Sequence, residues 1–289
     1  MKQLLFFIAF TQCTLMAIAQ KDSSRVDTVH VGNFIIVKKN KGANINTNNS
    51  IMKDWDKTVD ITIVKRNRTN NNISTNWWIM DLGFANVRDN TDYTIAQAGT
   101  YLKTFRTQDG KPNQNAYQLN TGKSSNLNIW VFMQKRNLYK HIVNLKYGLG
   151  SEMYNYRYDS RISYRKDPQP FVYNDSISFT KNKLFLNYIT VPLMLNINTN
   201  PSNHRSLNVS VGLSAGYLLQ SRNKQISAER GKQKIKGDFN FEPWRVASIA
   251  EIGLGPIRFY GSYSLNKLQK DITKIDQSPY VVGLRFSNW

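Results

Sequence analysis

Few side chains in this sequence could perform chemistry, and their spacing argues against most of what they might do. Thr121-Gly122-Lys123-Ser124 ends like a phosphate-binding loop, but that loop also needs a glycine where Tyr117 stands and a helix after it. Nucleotide binding is therefore not expected. No His-Glu-x-x-His or comparable metal-ligand spacing occurs. His30, His141 and His204 would have to supply the base of any His-Ser pair of the kind that lipid-modifying barrel enzymes use. The single cysteine, Cys13, lies in a leader expected to be removed, which excludes disulfide and thiol chemistry afterwards. The sequence predicts no enzyme, no cofactor and no metal site.

Two groups of charged residues say more. Asp81, Lys146, Glu152, Arg245, Glu251, Arg258 and Arg285 each fall on the polar side of an alternating segment. Charges gathered inside a narrow structure survive by pairing. They would line a solute path or, in the preferred reading, form a salt-bridged plug. In the plug, Glu251 and Arg258 are neighbours across a turn at Gly255-Pro256, and Asp81 meets Arg285 across the closing seam. The second group is Arg222, Lys224, Arg230, Lys232, Lys234 and Lys236, set against Glu229 and Asp238 in one predicted outer loop. Lys or Arg beside an anionic lipid surface is worth ~1 kcal/mol before screening. This loop is expected to hold lipopolysaccharide phosphates, with an ordinary solvated loop as the alternative.

These residues need elements to hold them, and the first twenty residues show where those elements reside. Lys2, the apolar run Leu4 to Phe10 and Ala17-Ile18-Ala19 before Gln20 make residues 1–19 a signal peptide. Thr11, Gln12 and Thr14 cut the apolar run short of the ~20 residues that a spanning helix needs. Export also removes nucleic acid as a partner, which a net charge of +20 would otherwise suggest. An exported chain without a later apolar run is either soluble outside the cytoplasm or a β-barrel.

Periodicity chooses the barrel. From Leu207 to Leu219 the odd positions are Leu207, Val209, Val211, Leu213, Ala215, Tyr217 and Leu219, while the even ones are mostly small or polar. Thirteen alternating residues exceed the nine to eleven that cross an apolar band at a tilt. Val143 to Leu149, Ile189 to Ile197, Ile257 to Leu265 and Tyr280 to Phe286 repeat the pattern. Trp77 to Ala85, Asn126 to Lys135 and Trp244 to Leu254 bring the count to eight, with Trp130 and Phe132 read as inward and a bulge expected at Pro192. The connections alternate long and short, with long ones at Asn86 to Ser125, Asp159 to Thr180 and Arg222 to Phe241. His141 and His204 fall at short turns, the wrong end for an outer-face enzyme. Trp77, Trp78, Tyr139 and Trp289 fall at periplasmic strand ends, and Tyr154, Tyr156, Tyr158, Trp244 and Tyr280 at outer ends, as two aromatic girdles.

The segment Asn76 to Phe84, the run Tyr188 to Leu193 and the terminal Gly283-Leu284-Arg285-Phe286-Ser287-Asn288-Trp289 resemble the PorT-like family of small outer-membrane β-barrels. The resemblance covers about Trp77 to Trp289. It implies an eight-stranded barrel and, for the family's namesake, a part in a protein secretion system. Its motifs are structural, so it transfers no catalytic residue. Trp289 departs from barrel practice in lying out of phase with Phe286.

The predicted organisation is thus an all-β chain, with a signal peptide at 1–19, a periplasmic extension at 20–75 and an eight-stranded antiparallel up-and-down outer-membrane barrel at 76–289. In the extension, Val29, Val31 and Ile35 to Val37 suggest one strand and Val59, Ile61 and Ile63 another, joined by the Asn-rich stretch Asn40 to Ser50. A hairpin or arm is expected there, with two further barrel strands as the rival. Two functions follow. One is a structural or interaction barrel whose outer loops meet outer-membrane lipids, lipopolysaccharide or other envelope proteins. The other is a narrow transporter or secretion component.

Overall fold

The computed structural model describes residues 26–31, 34–39, 60–65, 71–201, 206–254 and 257–287. Residues 1–19, read as a signal peptide, the stretch Asn40 to Ser50, His204, Gly255-Pro256, read as a turn, and Trp289 lie outside the described residues. Clustering of contacts separates residues 1–70 from 71–289. In the first unit, β1 (Val26–Val31), β2 (Phe34–Lys39) and β3 (Asp60–Lys65) form an antiparallel sheet in the order β1-β2-β3. What reads in sequence as one strand around Val29 to Val37 is divided into two. The two pair antiparallel from Val26–Lys39 to Val31–Phe34.

Eight long strands make the second unit: β4 (Ile73–Asp89), β6 (Ser125–Tyr139), β7 (Val143–Tyr158), β10 (Lys181–Asn198), β11 (Leu207–Ser227), β13 (Trp244–Leu254), β14 (Ile257–Ser264) and β15 (Gln277–Phe286). They pair antiparallel in the order β10-β7-β6-β4-β15-β14-β13-β11, and β10 pairs with β11 to close the ring. This is an eight-stranded barrel, complete without β1 to β3, so the ten-stranded alternative does not hold. Between the long strands, β5 (Leu102–Lys103), β8 (Ile162–Arg165) and β9 (Phe171–Asn174) form a small sheet from the two long connections, and β12 (Gly231–Lys236) pairs back onto β11.

Alternation sorts the side chains. Outward, Ile189, Val191, Leu193, Leu195 and Ile197 of β10 and Leu207, Val211, Leu213, Tyr217 and Leu219 of β11 are exposed and apolar. At ~3.3 Å per residue and ~45° tilt, the twelve steps from Leu207 to Leu219 rise ~28 Å, the height of a membrane's apolar band. Inward, large residues face glycines across the ladder: Trp130 opposite Gly150, Tyr260 opposite Gly283, Arg245 opposite Gly216 and Arg258 opposite Gly253. A Cβ on Gly150 would lie 2.5 Å from Trp130 Cε3, so the indole occupies space that only glycine leaves.

Three register shifts interrupt the barrel ladder; one, between Asn137 and Tyr139, lies at the end of β6, and the other two depart from the expected pattern within a strand. On β6 the pairing with β7 moves from Trp130–Gly150 to Phe132–Leu149, leaving Val131 as an additional residue. An extra residue reverses the faces beyond it. Trp130 and Met133 are therefore buried inside, whereas Phe132, read as inward, turns out to meet the exposed Trp77 ring at 5.9 Å. On β11 the pairing with β10 moves from Tyr188–Leu218 to Asn187–Gln220, and Leu219 is the additional residue. No shift occurs at Pro192, which pairs with Ser214 while the β7 ladder is merely interrupted at Val191 and Pro192.

Candidate functional site

Inside the barrel, the structure gathers all seven ionisable residues singled out above. Arg285 on β15 grips Asp81 on the adjacent β4 with two bonds, Nε to Oδ1 at 2.7 Å and Nη2 to Oδ2 at 2.8 Å. Its Nη1 donates to Glu251 Oε2 at 2.6 Å. Glu251 also receives Lys146 Nζ, Arg258 Nη1 at 3.2 Å and Ser210 Oγ at 2.9 Å, which makes it the hub of a network of five charged residues. Trp130 Nε1 completes Asp81 from the side at 2.7 Å. Toward the long-loop end, Glu152 and Arg245 form a separate pair at 2.9 Å. The void between network and pair, lined by Asn128, Trp130, Met194, Tyr260 and Arg285, measures about 10 Å³, on the order of the space one water molecule needs.

Above the Glu152–Arg245 pair the bore is aromatic. Tyr154, Tyr156 and Tyr158 had been read as an outer girdle, but they continue the inward side of β7 and are almost fully buried. Tyr158 and Tyr164 share a hydroxyl contact at 2.9 Å, and Tyr164 packs on Phe239 and Phe241. Burial pushes the Tyr164 and Tyr117 phenols well above their ordinary range, so both stay neutral. The exposed aromatics toward this end include Tyr217, Trp244, Tyr263 and Tyr280, and toward the other Trp77, Trp78 and Tyr139. Thr121-Gly122-Lys123-Ser124 forms a turn that leads into strand β6 rather than a helix, and His141 sits in the tight turn between β6 and β7.

The predicted outer loop is a β-hairpin. Strand β11 runs on to Ser227 and β12 returns along it, pairing Arg222 with Lys236, Lys224 with Lys234 and Ile226 with Lys232. The extra residue Leu219 determines where these cations face. Beyond it Ser221, Asn223, Gln225 and Ser227 point inward, which leaves Arg222 and Lys224 outside. Arg222 lies over the Phe185 ring, 4.5 Å from its centroid. Arg230 differs from the other five: its guanidinium is paired within the molecule with Asp175 at 2.7 Å. Burial raises the Asp175 carboxyl, but hydrogen bonds from Arg230 and Tyr173 outweigh it and hold the group below the usual carboxylate range.

Sequence reasoning missed two more outward cations, Arg157 on β7 and Lys183 on β10. Their signal was present, because they share parity with the apolar Leu145 and Ile189 of the same strands.

The sequence profile of the outer membrane protein beta-barrel domain family matches residues 93–270, more than half of the chain. No curated protein matches. Among solved structures, similarity is found to the crystal structure of Ail, the attachment invasion locus protein of Yersinia pestis, in complex with the heparin analogue sucrose octasulfate. The two are 12% identical, the match covers 73% of this chain and 99% of that one, and the TM-score is 0.27.

Proposed function

The chain belongs to the outer membrane protein beta-barrel domain family and resides in the outer membrane, and on that premise we propose that it is a barrel with a plugged lumen and no catalytic activity, whose outer hairpin holds lipopolysaccharide phosphates. The carrying observation is how charge is divided between inside and outside. In the lumen, Asp81, Glu152 and Glu251 are each matched by a buried cation. On the hairpin, Arg222, Lys224, Lys232, Lys234 and Lys236 form no ion pair among the described residues, and they stand just beyond the apolar belt. Buried ion pairs of this geometry fill space and hold strands together, while unmatched surface cations attract anions. Residues 1–19 act as the export signal in this reading, and 20–75 remain in the periplasm.

The test is to reverse Lys232, Lys234 and Lys236 to Glu and to measure the lipopolysaccharide that co-purifies, across salt concentrations. Retention is expected to fall, with the wild-type excess largest at low salt. Equal retention by both proteins would refute the lipid contact. The resemblance to PorT-like barrels supports a second reading, a component of a protein secretion system. A deletion strain that secretes its exported proteins normally would count against it.

A further inference from the structure

The register of four strands aligns cations that lie far apart in sequence. Arg157 on β7 pairs with Lys183 on β10, Lys183 with Lys224 on β11, and Lys224 with Lys234 on β12. The result is one transverse row of four positive side chains across adjacent strands. Beside it, toward the apolar belt, Phe185 pairs with Arg222 and Arg222 with Lys236. Like charges directly opposite on neighbouring strands are destabilising, and here three such pairs follow one another. No carboxylate offsets them: none of the six cations is in an ion pair among the described residues. Lys183 reaches only the amide oxygen of Asn155, at 2.7 Å, and Arg157 a backbone carbonyl, Thr180 O, at 2.5 Å.

Resting on the lipid-contact reading above, we propose that this row is a binding site for a single glycolipid headgroup of the outer leaflet that carries two phosphates. Adjacent cross-strand side chains are ~5 Å apart at Cβ, so two neighbouring cations can share one phosphate. A row of four then offers two positions, one at Arg157 and Lys183 and one at Lys224 and Lys234. Their separation is two strand spacings, ~10 Å. A lone phosphate fills half of the row and leaves the other half repelling itself. Arg222, held over the Phe185 ring, guards the side that faces the lipid. The outward location just past Leu219 places both positions at headgroup height, with acyl chains running down the apolar belt below.

The experiment measures binding of diphosphoryl and monophosphoryl lipid A, each in detergent micelles, to the purified full-length protein. Wild type is expected to prefer the diphosphoryl form at least tenfold. The Arg157→Gln/Lys183→Gln variant should lose that preference while binding monophosphoryl lipid within about threefold of wild type. A wild type without preference, or a double variant that keeps it, would overturn the two-phosphate site. Wild-type binding no better than that of the Lys232, Lys234 and Lys236 reversal would instead defeat the underlying lipid contact. Heat-modifiable gel migration of every variant checks that the barrel has formed.

Discussion

At the scale of single residues, Glu251 carries the largest share of the interior. Three cations and a serine converge on its carboxylate, and both of its oxygens are used. Neutralising it removes the carboxylate that Lys146, Arg258 and Arg285 share in the barrel interior. Breaking a buried charge network in this way costs ~3 kcal/mol or more, far above what a lost surface pair would. We expect Glu251→Gln to lower the unfolding free energy of the barrel, read from urea denaturation in micelles, by that amount without creating a pore. Adding Lys146→Met should recover part of the loss, because it removes one of the stranded charges. A Glu251→Gln protein as stable as wild type would show that the network contributes little. The residues of this site were legible in sequence because charge on the polar side of an alternating strand is conspicuous. Which of them would share a carboxylate was not, since that depends on strand register.

Among elements, the two extra residues were the least legible and have the largest consequences. Val131 and Leu219 are ordinary apolar residues in apolar surroundings, and nothing marks them as insertions. Phe132 was accordingly assigned to the wrong face, and the extension of β11 passed for a loop, since Arg222, Lys224, Gln225 and the lysines after them have no apolar alternation to follow. By contrast, Tyr154, Tyr156 and Tyr158 share parity with Lys146 and Glu152, so their inward direction could have been read from the same alternation. The bulge at Leu219 is testable by deletion. If Leu219 is an extra residue, its removal brings the Tyr188–Leu218 and Asn187–Gln220 pairs into a regular ladder and leaves Lys224 on the outer face. With Lys224→Cys as a reporter, an impermeant maleimide is expected to label cells with and without Leu219 alike. Labelling several-fold weaker without Leu219 would mean that Leu219 is a regular strand residue and that another feature sets the direction of the hairpin.

For the whole molecule, the question is whether eight strands leave a passage. A ring of this size has an interior just wide enough for side chains, and in the proposed plug three successive stretches occupy it. At one end lies the network centred on Glu251, above it the Glu152–Arg245 pair, and above that a stack of buried tyrosines and phenylalanines closed by the folded connections. Opening a path would require separating buried ion pairs and displacing Tyr154, Tyr156 and Tyr164, all of which are buried. Each of those steps opposes the same water column, so thermal motion is not expected to open it even briefly. Protein reconstituted into planar bilayers should therefore show no steady conductance on the scale of a porin, and Arg245→Ala, which widens the middle stretch alone, should leave that result unchanged. Removing the upper aromatic stretch together with the pair, as in Tyr154→Ala/Tyr156→Ala/Arg245→Ala, should still leave the Glu251 network as a barrier. A stable open level in the wild-type protein would make the charged interior a lined path for solutes and favour transport over a closed, lipid-holding barrel.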